Sequence, residues 1–234
     1  MSKDKFIGTW AFPTDDSLLE QSARRGEQYD FSKITADVLE KMHFEKEDVV
    51  LDVCCGNAVI AKEVAKVCKE IHGVDHSIHL IDSANKIKKQ ENISNLQLSL
   101  SDALKIGELF QEDYFDKSYC YFSFQYFNKK NRERLLSQLS RVTKRKGWIF
   151  IGDIPDKKRM WNFYNSPYKF YREKISRMLQ FKEGECDLGW WINPDEILQW
   201  CDEHKLHASI MPQNAHLPHA HYRFDVLIRN SKQE

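Results

Sequence analysis

The sequence predicts an α/β fold in which helices cover both faces of a mostly parallel sheet. First, strand and helix patterns alternate from about residue 34 onward, as in consecutive βα units. Second, the segment VVLDV at residues 49–53 is nearly continuous in apolar residues, as expected of a strand buried on both faces. Third, the turn CCGN at residues 54–57 follows that strand and leads into apolar residues at helical spacing. Together these observations predict a doubly wound sheet.

The other elements follow in order along the chain. The segment SKITADVLEKM predicts an amphipathic helix before the first strand, and Ile60, Val64, Val67 and Ile71 predict a helix after the CCGN turn. Six further strands are predicted at IHGVD, LQLSLSD, FDKSYCYFSF, GWIFIGDI, HASIMPQ and YRFDVLIRN. Further helices are predicted at LIDSANKIKK, at the apolar stripe of residues 135–142, and after the capping residue Asn193. The pattern therefore predicts seven strands.

One segment interrupts this alternation. Residues 156–190, after the fifth strand, are both aromatic and basic and are longer than an ordinary crossover. We interpret them as a helical, aromatic insertion that covers the site, with side chains available either to stack on a substrate or to pack the insertion. The predicted organisation is an N-terminal lid segment at 1–33, one domain at 34–230 that includes the insertion, and a polar tail at 231–234.

Composition restricts the possible partners and location. The chain of 234 residues has 35 basic and 35 acidic residues, so no net charge attracts polyanions and a nucleic-acid partner is not favoured. No apolar run has the length of a signal peptide or a membrane span, which predicts a cytoplasmic protein without a membrane partner. The six cysteines lack the paired spacing of zinc or disulfide sites, so we expect buried thiols and no metal. They are Cys54, Cys55, Cys68, Cys120, Cys186 and Cys201.

The strand and turn at residues 49–58 predict a ligand site at the carboxyl edge of the sheet. The dinucleotide fingerprint requires three glycines, and only Gly56 is present, so that reading is excluded. VLDVCCGNA instead resembles the first motif of class I S-adenosylmethionine-dependent methyltransferases, approximately VLDxGCGxG. The segment departs from that motif at Cys54 and Ala58, where glycine is usual.

The resemblance extends over residues 29–229 and implies a Rossmann-like sheet with an antiparallel last strand, YRFDVLIRN. It also implies S-adenosyl-L-methionine as cofactor and S-adenosyl-L-homocysteine as product. Asp75, which lies 23 residues after Asp52, resembles the acid that accepts hydrogen bonds from both ribose hydroxyls, as one carboxylate can. Asp102 resembles the acid that contacts adenine. The implied cofactor-binding residues are Tyr29, Asp52, Cys54, Gly56, Asn57, Asp75, His76, Asp102, Ala103, Cys120 and Tyr121.

The acceptor is less well defined by the sequence. The sulfonium methyl group is already activated, so the enzyme mainly aligns a nucleophile, excludes water and, where needed, removes a proton. The stretch YFSFQYF after the fourth strand lacks the proline motif of methyltransferases that act on nucleobase or glutamine amines, which disfavours those acceptors. Candidates for a catalytic base are Tyr126, Asp153, His216 and His221.

The sequence therefore predicts a methyltransferase that acts on a small molecule, at a hydroxyl of a sugar, a sugar nucleotide or another metabolite. Two alternatives stay open at this point. One is a methyltransferase for RNA or protein, and the other is a protein that binds the cofactor without turnover. The general base, the choice between oxygen and nitrogen, and the oligomeric state are also open.

Overall fold

The structure is a computed structural model that describes residues 30–164, 166, 168, 171 and 189–231. Its strands are β1 (Val49–Val53), β2 (Glu70–Asp75), β3 (Leu96–Leu100), β4 (Phe115–Tyr121), β5 (Thr143–Pro155), β6 (His207–Pro212) and β7 (Arg223–Arg229). They form a single sheet in the order β3-β2-β1-β4-β5-β7-β6. The first five are parallel, and β7 runs antiparallel between β5 and β6. This confirms the predicted fold class.

The described helices are α1 (Phe31–Met42), α2 (Ala61–Val64), α3 (Ile78–Gln90), α4 (Ile106–Leu109), α5 (Lys129–Val142), α6 (Met160–Phe163) and α7 (Pro194–Glu203). Side-chain oxygens accept hydrogen bonds from backbone N–H groups at the starts of the four longest, and so satisfy donors that a helix leaves unpaired. These capping residues are Asp30, Ser77, Asn128 and Asn193. Short 3-10 turns at 103–105, 124–126 and 157–159 follow β3, β4 and β5.

Both faces of the sheet are covered, as the apolar strands require. One buried cluster includes Leu135 and Leu139 of α5 and Ile197 of α7. The cluster on the other face includes Val38 of α1 and Val64 of α2. Because β1 to β4 run parallel, their carboxyl ends meet at the same edge of the sheet.

The predicted helix after the CCGN turn is wrong in its length. Only Ala61–Val64 is helical, and Ile71 lies in β2, where it pairs with Val50 of β1. The spacing was misleading because Val64 and Ile71 bury in the same cluster from different elements, while Val67 between them is 37% exposed. A helical period therefore arose from a helix, a turn and a strand that share one core.

A buried group of charges joins α1 to the far part of the sheet. The ammonium of Lys41 lies 2.6 Å from a carboxylate oxygen of Asp37 and 2.6 Å from one of Asp225 in β7. Burial raises the pKa of Asp225, and the nearby Lys41 opposes that rise. We refer to Asp37, Lys41 and Asp225 as the α1 charge cluster.

None of the helices in the described part of the chain combines the length and the apolar character that a membrane span requires.

Candidate functional site

A cavity of about 470 Å³ lies at the carboxyl edge of the parallel strands. This volume is within the usual range for small-molecule sites, roughly 300–1,000 Å³. It is lined by residues in the last positions of β1, β2 and β4, by residues that follow β1 to β4, and by the first residue of α1. The lining residues that were predicted from the sequence are Asp52, Cys54, Gly56, Asn57, Asp75, His76, Asp102, Ala103, Tyr121 and Tyr126.

The turn after β1 has an unusual backbone. Cys54, Gly56 and Ala58 all have positive φ, at 62°, 56° and 63°. A residue with a side chain in this left-handed region costs about 1–2 kcal/mol, which explains why glycine is usual at the first and last of these positions. Cys54 and Ala58 therefore adopt the backbone conformation that glycine would adopt, and the turn keeps its path.

The two adjacent cysteines of this turn are structural thiols. A Cβ atom added to Gly73 of β2 would lie 2.9 Å from the Cys55 sulfur, so the close approach of Cys55 requires glycine there. A hydrogen bond with the Cys120 thiol, together with burial, raises the pKa of Cys54. Burial also raises the pKa of Cys55, so both thiols stay protonated. No group of three or more metal-ligating side chains occurs in the described ranges.

Asp75, at the end of β2, is buried and held by two backbone donors. One carboxylate oxygen accepts from the Gly56 N–H at 2.9 Å, and the other accepts from the Ser77 N–H at 2.9 Å. Each oxygen has a second lone pair that can accept a further hydrogen bond. The carboxylate is therefore oriented to accept from two more donors in the cavity, which a vicinal diol would supply.

Asp52, at the end of β1, is buried beside it. Burial raises the pKa of Asp52 to about 8, opposed by a hydrogen bond from the Tyr119 hydroxyl at 2.9 Å and reinforced by the charge of Asp75. Near neutral pH most of this carboxyl group is protonated. A cation placed against it in the cavity would favour the ionised form and lower the pKa.

The third acid, Asp102, follows β3 and is exposed at the rim of the cavity. One of its oxygens accepts from the Leu104 N–H at 2.9 Å and so begins the 3-10 turn that contains Ala103. The ring of His76 is 44% exposed, with one nitrogen 3.6 Å from the Asp75 carboxylate. Three acidic side chains thus border one cavity, each in or just after a different parallel strand.

The opposite end of the cavity is formed by residues 122–127, which we call the β4 exit loop. Phe122 has a positive φ of 65°, and its carbonyl accepts from the Gln125 side-chain amide at 2.6 Å. The Gln125 carbonyl accepts from the Trp190 N–H at 2.8 Å, and the Phe127 carbonyl accepts from Arg132 at 2.9 Å. These bonds satisfy carbonyls that no strand pairs, and they fix the loop.

Comparisons with known proteins agree with this geometry. Residues 50–147 match a family model described as a methyltransferase domain. The matched residues therefore resemble a methyltransferase domain, and they include the first motif at residues 50–58. A probable cobalt-precorrin-6B C(15)-methyltransferase (decarboxylating) from Methanococcus vannielii is 34% identical over 71 residues, which are 30% of this chain and 39% of that protein. A demethylmenaquinone methyltransferase from Geobacillus kaustophilus is 29% identical over 111 residues, which are 46% of each protein.

The methyltransferase domain also has the fold of solved structures. An S-adenosylmethionine-dependent methyltransferase from Clostridium acetobutylicum superposes with a TM-score of 0.66 at 15% identity, over 91% of this chain and 96% of that one. Magnesium protoporphyrin IX methyltransferase from Synechocystis gives 0.62 at 11% identity, over 96% and 91%. At these identities the likeness shows the fold alone. The chain spans about two fifths of the length of the first curated relatives it matches.

Four predicted site residues do not line the cavity. Cys120 is fully buried and forms a hydrogen bond with Cys54, which does line it. Asp153 is buried in an ion pair with Arg223 of β7, and it also accepts a hydrogen bond from Gln213. His216 and His221 are exposed in the loop between β6 and β7. These strands lie beyond β5, whereas the cavity lies over β1 to β4. Tyr29 lies outside the described residues.

Sequence reasoning missed half of the residues that line the cavity. The missed residues are mainly apolar or aromatic, and they follow strand ends or begin helices. They are Phe31, Cys55, Val59, Ile60, Leu80, Leu104, Phe122, Ser123, Phe127 and Asn131. Their position directly after each strand end was a usable signal, because residues at the carboxyl edge of a parallel sheet are placed to contact a ligand.

Proposed function

We propose that this chain is an enzyme that transfers a methyl group from S-adenosyl-L-methionine to a small-molecule acceptor and leaves S-adenosyl-L-homocysteine. One observation carries the proposal. Asp102, Asp75 and Asp52 border one cavity in the same order as strands β3, β2 and β1 lie in the sheet. An elongated ligand with an aromatic amine, a diol and a cationic amine fits that row of acceptors.

In this proposal each carboxylate recognises one part of the cofactor. Asp102 accepts from the exocyclic amine of adenine, and Asp75 accepts from the two ribose hydroxyls with the lone pairs that its backbone donors leave available. Asp52 neutralises the ammonium of the methionine part, which favours its ionised form. The methyl group is then directed toward the β4 exit loop, next to Tyr121 and Tyr126.

The acceptor in this proposal is a small molecule that reacts through a hydroxyl. The named relatives support the small-molecule part, since their names describe methyltransferases for a cobalt-precorrin and for demethylmenaquinone. Of the four candidate bases, only Tyr126 lines the cavity. The chain thus contributes mainly alignment and exclusion of water, which are the principal requirements for transfer from a sulfonium.

Calorimetric titration of the full chain with S-adenosyl-L-homocysteine tests the proposal. Asp75→Ala should weaken binding more than tenfold, equivalent to about 1.4 kcal/mol, because a buried bidentate acceptor is lost. Asp75→Asn should be weakened less, because its one carbonyl oxygen still accepts. Asp82→Ala removes an exposed carboxylate from α3 and serves as the matched control that keeps full affinity. Unchanged affinity in a folded Asp75→Ala protein would refute the assignment.

A further inference from the structure

We infer that the acceptor is an uncharged compound with a planar ring that bears the reacting hydroxyl, a phenol or an enol, and not a sugar nucleotide. The inference rests on the proposed function, since it assumes that the cofactor lies along the three carboxylates. It follows from the residues that form the other end of the same cavity. We call that end the acceptor end and define it by Phe31, Phe122, Ser123, Tyr126, Phe127 and Asn131.

The order of the strands determines which end faces the acceptor. The carboxylates follow β3, β2 and β1, whereas five of the six acceptor-end residues follow β4, which lies on the other side of β1. The sixth, Phe31, is the first residue of α1. A cofactor that spans β3 to β1 therefore directs its transferable group toward this set.

The acceptor end favours an apolar ring over a charged group. Four of its six residues are aromatic, and none of the six carries a formal charge near neutral pH. A phosphate that entered here would lose hydration without gaining a counter-charge from these residues, which is costly. Aromatic side chains instead contact a planar ring with favourable stacked or edge-to-face geometry.

Hydrogen-bonding capacity at this end is small, which also disfavours a sugar. The Ser123 hydroxyl donates to the Tyr121 carbonyl at 3.4 Å, and the Asn131 side chain is half-buried at the cavity wall. A hexose carries several hydroxyl groups, and each would require a partner when buried. One ring hydroxyl requires far fewer.

The aromatic wall is also held in place before any acceptor binds. Arg132, which donates to the Phe127 carbonyl, is buried and lies 3.5 Å from Glu196 of α7. Trp190 holds the middle of the same loop through the Gln125 carbonyl. A wall fixed in this way binds a rigid ring without a large cost in conformational entropy.

The chemistry of the step fits the same class. A phenol loses its proton near pH ~10, whereas an aliphatic hydroxyl holds it almost as strongly as water, at about 15.7. A phenol therefore reacts without a strong base, which fits an acceptor end whose six residues include no carboxylate, histidine or lysine. A lone pair of the acceptor oxygen forms the O–CH₃ bond, the electron pair of the C–S bond returns to sulfur, and the acceptor proton passes to bulk solvent.

The test uses the full chain saturated with S-adenosyl-L-homocysteine, titrated separately with 2-naphthol and with uridine diphosphate glucose. We expect 2-naphthol to bind at least tenfold more tightly. Phe127→Ala should weaken 2-naphthol binding at least tenfold and leave S-adenosyl-L-homocysteine affinity within about twofold, because Phe127 lines the acceptor end and follows β4, away from the row of acids after β3, β2 and β1. Phe110→Ala is the matched control: Phe110 is half-buried against Phe115, before β4 and outside the cavity, so both affinities should persist.

The outcomes separate the two proposals. If S-adenosyl-L-homocysteine does not bind the wild-type chain, the proposed function fails and this inference fails with it. If it binds, but the nucleotide sugar binds as tightly as 2-naphthol or more tightly, only the acceptor class is overturned. The acceptor class is also overturned if 2-naphthol does not bind the chain saturated with S-adenosyl-L-homocysteine. It is likewise overturned if Phe127→Ala and Phe110→Ala lose the same amount of affinity for 2-naphthol.

Discussion

Cofactor binding should depend on pH through Asp52. The pKa of this buried carboxyl group is raised to about 8, mainly by burial. In our proposal the ammonium of the cofactor requires the ionised form, so binding must release the proton that Asp52 holds below pH 8. Affinity for S-adenosyl-L-homocysteine should therefore increase as the pH rises toward 8.

The magnitude follows from the fraction of Asp52 that is ionised. At pH 7, one unit below its pKa, roughly one molecule in ten carries the carboxylate, which lowers the apparent affinity about tenfold from its limit. At pH 6 the reduction reaches about a hundredfold. The α-amino group of the ligand lies beside its own carboxylate and so keeps its proton to higher pH than a peptide α-amino group, whose pKa is roughly 7.7–8.0. The affinity should therefore level off above pH 8 and fall only where that amine loses its charge.

Calorimetry between pH 6 and 9, in two buffers of different ionisation enthalpy, measures both the affinity and the number of protons released. Asp52→Asn should abolish the rising limb. Tyr119→Phe removes a hydrogen bond that lowers the pKa of Asp52, so it should move the rising limb to higher pH and weaken binding at pH 7. An affinity that is constant from pH 6 to 8, or no shift in Tyr119→Phe, would refute this role for Asp52.

Two predictions concern the packing of the site. In Gly152→Ala the new Cβ would lie 2.1 and 2.3 Å from ring atoms of Tyr121, so urea denaturation should show a loss of about 1–3 kcal/mol, and Tyr121→Leu should restore part of it. If the losses in free energy of unfolding from Gly152→Ala and Tyr121→Leu simply add in the double variant, the proposed contact is contradicted. Ala58→Gly should change the free energy of unfolding by less than about 0.5 kcal/mol. Glycine removes the strain of the positive φ at this position, and this gain offsets the loss of a buried methyl group and the larger conformational entropy of the unfolded chain. Ala61→Gly, equally buried but in α2, should cost about 1 kcal/mol; equal losses would contradict the argument.

Much of the fold was predictable because the parallel strands are buried on both faces. VVLDV and IHGVD are recognisable as strands from their apolar residues alone, and their register follows from burial. The antiparallel direction of β7 came only from the resemblance to a family, and its position between β5 and β6 was not predicted. The helix after β1 was overestimated because the sequence pattern could not separate one helix from two elements that share a core.

The site was predictable where a single residue type marks a strand end. Asp52, Asp75 and Asp102 are acids that follow apolar runs, and the sequence displays them directly. Asp153 has the same pattern, yet its charge is paired by Arg223, which lies 70 residues later. Contacts at such separations are set by tertiary packing, and a pattern of neighbouring residues does not contain them.

The α1 charge cluster has a consequence for synthesis of the chain. Lys41 and Asp225 are 184 residues apart, and at roughly 5–20 residues per second the ribosome needs about 10–40 seconds to deliver the second after the first. During that interval α1 has only its own Asp37 as a partner for Lys41. α1 therefore cannot reach its final electrostatic environment until β7 has emerged, although the apolar residues of β1 and α2 in its cluster are available much earlier.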